Sequence, residues 1–208
     1  MSMKSALLAI ACAVAGLSAG ACETTRTVRV DGLVLDLSGA PVAGAEIRAS
    51  RQTARGQAAS GADGRFSLVV ERDRSGVVLP ASGVYVDPVA VSAATPDAVA
   101  FSAAPALSVS RAAEGPAVLI LLPAAAVPGQ AGCLSQSPSE AYALALAERL
   151  NAQRPWLSDL RDGGATQGLH QKLRADIAAA ARRCGLPEAR RRSADEAVDA
   201  ALDPFQDG

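Results

Sequence analysis

The sequence holds very little of what most enzymes use. Aromatic residues make up 3 % of 208, with one histidine, His170, and one tryptophan, Trp156. A single imidazole leaves any serine or cysteine triad, H-E-x-x-H zinc site or carboxypeptidase-type metal pair incomplete. So few rings also leave few stacking platforms. An excess of charge is missing too. Twenty Lys and Arg stand against 21 Asp and Glu, a net charge of −1, so no global basic field exists to hold nucleic acid. At 50 % hydrophobic and 20 % charged residues, the composition excludes a fully disordered chain. The length fits one domain or two small ones.

What is present begins with a leader. Lys4 supplies a positive start, and Ala6 to Leu17 runs without a charge, too short for the about 20 residues of a spanning helix. Ala19, Gly20 and Ala21 are the small residues that precede a cleavage site, so residues 1–21 read as a signal peptide. The segment Leu17-Ser18-Ala19-Gly20-Ala21-Cys22 resembles a bacterial lipobox, although Ala19 stands where Leu is usual. The resemblance implies a Cys22 diacylated through its sulfur and acylated on its freed amine. Glu23 in the next position leans towards the outer membrane. The expectation is an exported lipoprotein held to a membrane by an N-terminal acyl anchor, at the outer membrane or facing the periplasm. The other reading is a soluble periplasmic or secreted protein in which Cys22 is an ordinary thiol. Val118 to Leu122 is strongly apolar, but Pro123 ends it at strand length.

After a tether at 22–26, residues 27–127 read as a β module. Thr27 to Leu37 alternates, with Val28, Val30 and Val34 on one face, and Ser38-Gly39-Ala40-Pro41 is turn chemistry. Ala45 to Ala49 forms a second strand exposing Glu46 and Arg48, and Ser50 to Gly61 reads as a polar connection. Asp63-Gly64 turns the chain into Arg65–Val70, which buries Phe66 and Leu68 or their alternates. Further strand-like pieces lie at Val84–Val86, Val89–Val91, Ala106–Val109 and Val118–Leu122. Short strands separated by Gly, Pro and Asp predict a small antiparallel β-sandwich.

Three blocks carry a family resemblance. They are Val30-Asp31-Gly32 with Val34 and Asp36, Gly39 to Ala45, and Ala62-Asp63-Gly64-Arg65-Phe66-Ser67-Leu68. In order and spacing they resemble the carboxypeptidase regulatory-like domain over about residues 27–125. That resemblance implies a transthyretin-like or prealbumin-like sandwich, often classed with carbohydrate-binding-like folds. Ala94-Thr95-Pro96 replaces the Gly-Tyr pair common after the later strand. The transthyretin-like hydrolases of urate breakdown use several histidines and a C-terminal Tyr-Arg-Gly-Ser; this chain has neither, and their activity does not carry over.

From Gly132 the period becomes helical, and residues 128–208 form a helical segment. Ser137-Pro138-Ser139-Glu140 reads as a capping box that starts a helix through about Ala152, with Tyr142, Leu146 and Leu150 along one stripe. Pro155 permits a short further turn over Trp156, Leu157 and Leu160. A third helix begins near Thr166, carries Leu169, Leu173, Ile177 and Ala181, and ends at Gly185 and Pro187. Ser193-Ala194-Asp195-Glu196 reads as a second capping box for a last short helix with Val198 and Leu202. In an exported chain, Cys133 and Cys184 read as a disulfide, closing a loop worth about 4 kcal/mol in the chain-entropy model. The β module holds neither of these cysteines, so it is expected to fold alone, with the helices leaning on the disulfide or on the sandwich.

Candidate sites are few. Gly16-Leu17-Ser18-Ala19-Gly20 fits a nucleophile-elbow pattern, but it lies inside the leader. His170 sits beside an apolar stripe and reads as structural. Asp31, Asp36 and Asp63 read as turn carboxylates rather than a calcium set. Arg182, Arg183 and Arg190–Arg192 are followed at once by Asp195, Glu196, Asp199 and Asp203, which describes a solvated helix surface. No catalytic residue, metal ligand or cofactor is expected, and no nucleic-acid partner. The function expected is a non-catalytic binding or structural module serving an envelope protein or polymer. The alternative is a carbohydrate-binding module with Tyr85 and Phe101 as stacking platforms.

Overall fold

The computed structural model describes residues 26–49, 54–72, 89–104, 116–127, 132–162 and 164–203. The leader, Cys22, Tyr85 and the strand-like pieces at 84–86 and 106–109 lie outside the described residues. The chain forms β1 (Arg26–Leu35), β2 (Glu46–Ala49), β3 (Ala54–Arg55), β4 (Gln57–Ala59), β5 (Arg65–Arg72), β6 (Ala90–Ala94), β7 (Ala98–Ala103), β8 (Ala117–Ile120) and β9 (Leu122–Pro123). A 3-10 turn at Ala124–Ala126 leads to α1 (Pro138–Asp162), α2 (Gln167–Cys184) and α3 (Glu188–Leu202).

The strands form two sheets, one ordered β3-β5-β1-β8 and the other β4-β2-β6-β7-β9. Period-2 alternation sets what each sheet turns inward. Val30 opposes Leu68 and Gly32 opposes Phe66 across β1 and β5, while Ile47 opposes Ala93 across β2 and β6. Apart from Gly32, these residues are buried in one shared cluster. Gly32 has a packing reason: a Cβ there would run into the Phe66 ring and the Ala117 carbonyl. The chain changes sheets at Gly56, between β3 and β4, where a Cβ would meet the Val69 carbonyl. This region, read in the sequence as a polar connection, thus supplies the edge strand of both sheets. The sequence also gave no sign of β7, an alanine-rich strand whose neighbours are Thr95, Pro96 and Asp97.

One pairing corrects the antiparallel expectation. β8 runs parallel to β1, with Leu33 opposite Val118 and Leu35 opposite Ile120. Among the described residues the other six strand pairings are antiparallel. Hairpins force antiparallel neighbours, but β8 reaches β1 through a long connection and is free to enter in the same direction.

The turns carry the sequence blocks. Asp36 Oδ1 accepts from the Ser38 amide at 2.7 Å, the Ser38 hydroxyl at 2.7 Å and the Ala40 amide at 3.0 Å. Val34 N–H donates to the Gly64 carbonyl and Val42 N–H to the Val34 carbonyl, so the first two turns of the module lie side by side. Gly64 takes a φ of +73° beside Val34 and Pro41, which excludes a side chain on both counts. Ser60 fastens the next loop: its hydroxyl donates to the Val42 carbonyl at 2.7 Å and accepts from the Ala45 amide at 2.9 Å.

The helices do not stand apart from the sheets. α1 and α2 pack on β7, and α2 also packs on β8, closing that side of the two-sheet stack. All four residues of β8 are buried, and Leu33 and Leu35 on β1 are packed into the same core. Sheets and helices share that core, so the β module is not self-contained in the folded protein. α1 is its centre. Tyr142, Ala143, Leu144, Ala145, Leu146 and Ala147 are all buried in succession, the signature of a helix surrounded on every side. The single stripe seen in the sequence understated this, because alanine reads as neutral while here it lets neighbours approach closely. α1 also runs unbroken through Pro155 to Asp162, where the sequence predicted two pieces. Burial of Leu157 and the seating of Trp156 against the β1–β2 turn hold the helical path beyond the proline.

The first capping box marks the start of α1 at Pro138 as expected, but its Glu140 serves another partner, and the second box is corrected. Glu140, nearly buried, gives its carboxylate to Arg183 on α2. α3 starts at Glu188 after Pro187, not at Ser193, which lies inside it. Thr166 precedes α2 without a side-chain cap; its hydroxyl donates to the Leu202 carbonyl at 2.8 Å, tying the start of α2 to the end of α3. Gly185 ends α2 at φ +60°, as its position in the sequence predicts.

Candidate functional site

Side chains with chemical potential concentrate where the helices meet one another and the sheets. Cys133 and Cys184 are joined, with Cα atoms 5.5 Å apart, pinning the approach to α1 against the last residue of α2. The expected disulfide is therefore present. Beside it, Arg183 donates Nε and Nη2 to the two Glu140 oxygens at 3.0 and 3.1 Å, the bidentate geometry that makes an arginine–carboxylate pair strong. Two helical turns before Arg183, Asp176, whose carboxyl is mostly buried, pairs with Lys172. Desolvation pushes the Asp176 pKa up, with nearby Glu140 adding to it, while Lys172 and Ser139 pull the other way.

A second set binds α2 to α3. His170 Nε2 donates to Asp199 Oδ1 at 2.9 Å, and Arg174 Nη1 donates to Asp199 Oδ2 at 2.6 Å. Arg191 bridges Glu188 at 2.6 Å and Asp195 at 2.8 Å within α3, and Arg190 reaches Glu148 on α1 at 3.1 Å. His170 is thus an inter-helix strut, as its place beside the apolar stripe predicted. A histidine–carboxylate pair can orient a base, but the Thr166 hydroxyl, one turn away, is spent on Leu202. Of the acidic residues that follow the arginines in sequence, Asp195 pairs with Arg191, while Asp199 serves Arg174 and His170 on α2.

Tyr142 is the residue sequence reasoning missed. It is fully buried, and its hydroxyl donates to the Ile120 carbonyl at 2.7 Å. Its ring also meets Phe101 edge-on, with centroids 5.4 Å apart at 66°. Burial pushes the phenol pKa up, so it stays protonated and remains a donor. β8 is the edge of its sheet, and Tyr142 serves an edge carbonyl there. Phe101, one of two expected stacking platforms, is half-buried and forms the sheet wall against which Tyr142 stands. Tyr85, the other, lies outside the described residues, as does Cys22. The signal that could have exposed Tyr142 is its position: a lone Tyr in an alanine-rich run has a hydroxyl that needs a partner.

The three aspartates discussed for calcium serve separate local roles. Asp31 takes Arg29 at 2.9 Å, Asp36 organises its own turn, and Asp63 accepts from the Arg65 amide at 3.1 Å. At Asp36 burial works against the carboxylate, but the Ser38 hydroxyl and the amides of Ala40, Ser38 and Gly39 outweigh it and lower its pKa. Among the described residues, no three His, Cys, Asp or Glu side chains are grouped to hold a metal, and no helix is long and apolar enough to cross a membrane. No family model matches the chain, and no curated protein and no solved structure matches it.

Proposed function

We propose that the chain is an exported lipoprotein anchored through acylated Cys22, working as a non-catalytic binding or structural module of the bacterial cell envelope. The observation that carries the reading is the pairing of an export leader with the Cys133–Cys184 disulfide, since disulfides persist in oxidising compartments. Anchoring is supported by Ala19-Gly20-Ala21-Cys22, only four residues ahead of β1. The module role is supported by how the charged groups are spent: His170, Arg174, Asp199, Glu140 and Arg183 join helices to one another. We also propose that the two-sheet region is of the carboxypeptidase regulatory-like, prealbumin type. Its three sequence blocks fall on β1, on the β1–β2 turn and on the β4–β5 turn, and the strands are joined there by the Val34–Gly64 and Val42–Val34 hydrogen bonds.

Intact mass of the mature protein tests the anchor. It should begin at an acyl-modified Cys22, and Cys22→Ser should move the protein from membranes to the soluble fraction. An unmodified Cys22 at the N-terminus of a soluble protein would sink the reading. A glycan array separates the partner classes: selective retention of a saccharide would replace the protein or polymer partner with a carbohydrate-binding role.

A further inference from the structure

The Cys133–Cys184 disulfide lies at the surface: Cys133 is exposed and Cys184 half-buried. There is room beside it. A Cβ built on Gly132, which precedes Cys133, or on Gly185, which follows Cys184, would meet nothing beyond its chain neighbours within 4 Å. An incoming thiolate therefore has access on the Cys133 side. Exposed disulfides are the ones that exchange, whereas structural ones resist reduction. The bond also duplicates another link. Cys184 ends α2 with Arg183 beside it, and Cys133 lies just ahead of α1, whose first turn holds Glu140. The bidentate Arg183–Glu140 pair thus ties the same two segments, and Glu140 is only 7 % exposed. Each cysteine has a seat of its own as well. Leu134 packs against the core and its carbonyl accepts from the Ser137 amide at 2.9 Å, while Leu173, Ile177 and Ala180 bury the face of α2 that leads to Cys184.

From the open approach and the duplicate link, we propose that Cys133–Cys184 is a thiol-exchange site. A dithiol partner opens it in the folded protein, and the Glu140–Arg183 pair keeps the two sulfurs in reach for reclosing. One thiolate of the dithiol attacks Cys133 Sγ; the bond to Cys184 breaks, and Cys184 Sγ leaves as a thiolate that takes a proton from water. The second thiolate of the partner then attacks the partner's own sulfur in the mixed disulfide, and Cys133 leaves in the same way. Two electrons pass to the cysteine pair, which ends as two thiols, and the partner ends as a disulfide. Reclosing runs the same steps backwards with an oxidised dithiol. The proposal needs no acyl anchor, so it is tested apart from the lipoprotein reading.

The test uses the whole mature chain carrying Cys22→Ser, which leaves Cys133 and Cys184 as its cysteines. Without denaturant, dithiothreitol should open the bond at a rate proportional to its concentration, read by alkylation and intact mass, while far-UV circular dichroism holds. A rate that levels off at the unfolding rate would overturn the proposal, because attack would then wait for the chain to unfold. Glutathione, a monothiol, should be captured on Cys133; peptide masses that place it on Cys184 would overturn the proposal too. Oxidised dithiothreitol should reclose the pair. Glu140→Gln should lower the equilibrium constant for closure about tenfold, the scale of one charge-assisted hydrogen bond. Arg190→Gln, which breaks the pair with Glu148 instead, should leave that constant unchanged. Arg183→Gln, at a half-exposed side chain, gives the same reading as Glu140→Gln if the latter fails to fold. Equal loss in the Glu140 or Arg183 variant and in Arg190→Gln, or no loss in any, would refute the holding pair and the proposal with it.

Discussion

The two halves of the molecule are held by different physics. In the sheets, cohesion comes from alternating Val, Leu, Ile and Phe turned inward, with turns fastened by Asp36, Ser60 and glycines at positive φ. The helices have fewer large apolar side chains and add cross-links: a disulfide, a bidentate Arg183–Glu140 pair and the Asp199 junction with His170 and Arg174. The sheets are specified locally, strand by strand and turn by turn, whereas the helices are specified by what they meet. The difference teaches that a half with little apolar surface of its own can still be firmly placed, provided its neighbours supply the cover.

The largest effect should come from cutting that cover away. Residues 26–127 alone leave β8 and the Leu33–Leu35 end of β1 without α1 and α2. With about 1.5–3 kcal/mol at stake for each large apolar side chain uncovered, this fragment should lack a cooperative unfolding transition and should bind a hydrophobic dye. A fragment that unfolds in one sharp step would restore the self-sufficient module expected from the sequence. Next comes Tyr142. Tyr142→Ala should cost about 3–5 kcal/mol in denaturant titration. Tyr142→Phe, which keeps the ring and strands the Ile120 carbonyl, should cost about 1–3 kcal/mol.

Reducing Cys133–Cys184 should lower stability by up to about 4 kcal/mol. The shared core makes a definite demand on how that loss appears. Trp156 lies in α1, donates Nε1–H to the Leu37 carbonyl at 3.2 Å and packs over Gly39. Its emission and the far-UV sheet signal should therefore shift together in one transition. Separate midpoints would mean that the halves are thermodynamically independent. A smaller and opposite effect is expected at Ser102, whose hydroxyl is the one buried side-chain polar atom among the described residues without a hydrogen-bond partner. Ser102→Ala removes that stranded group and should leave stability unchanged or raise it by about 1 kcal/mol in thermal melts.

The smallest effect distinguishes the halves by pH. The Asp36 pKa is lowered in the folded state, so its contribution is present above the unfolded value of 3.8 and is lost as pH falls through the folded value. Asp176 is raised, so its contribution is full below 3.8 and is lost as pH rises through the folded value. The stability gap between wild type and Asp36→Asn should shrink on acidification. The gap for Asp176→Asn should move in favour of the wild type as pH falls towards 3.8, above the range in which Asp36 loses its contribution. Parallel pH trends for the two variants would remove the distinction between a turn carboxylate and a buried one.

How much of this was legible follows from where each signal resides. The turns at Asp36–Pro41 and Asp63–Gly64 could be read because their chemistry is local: a carboxylate facing amides two and four residues on, and a glycine at positive φ. The disulfide could be expected from Cys133 and Cys184 in a chain read as exported, and the two are joined. β7 could not, because Ala98, Ala100 and Ala103 carry no period strong enough to declare a strand, and pairing with β6 and β9 makes it one. Glu140 misled for a related reason. In sequence it completes a capping box, but Arg183 lies 43 positions away and offers a better partner.

The sequence by itself determined the alternating strands, the glycine-dependent turns, the helix ending at Gly185 and the two cysteines available for a bond. All of these rest on interactions within a few residues or on composition. Only the tertiary structure decided that β8 runs parallel to β1, that α1 continues through Pro155, that Tyr142 serves an edge carbonyl of β8, and that sheets and helices share one core. The physical reason is common to all four. Each depends on a partner far along the chain, whose packing or hydrogen bond outweighs the local preference that sequence alone can express.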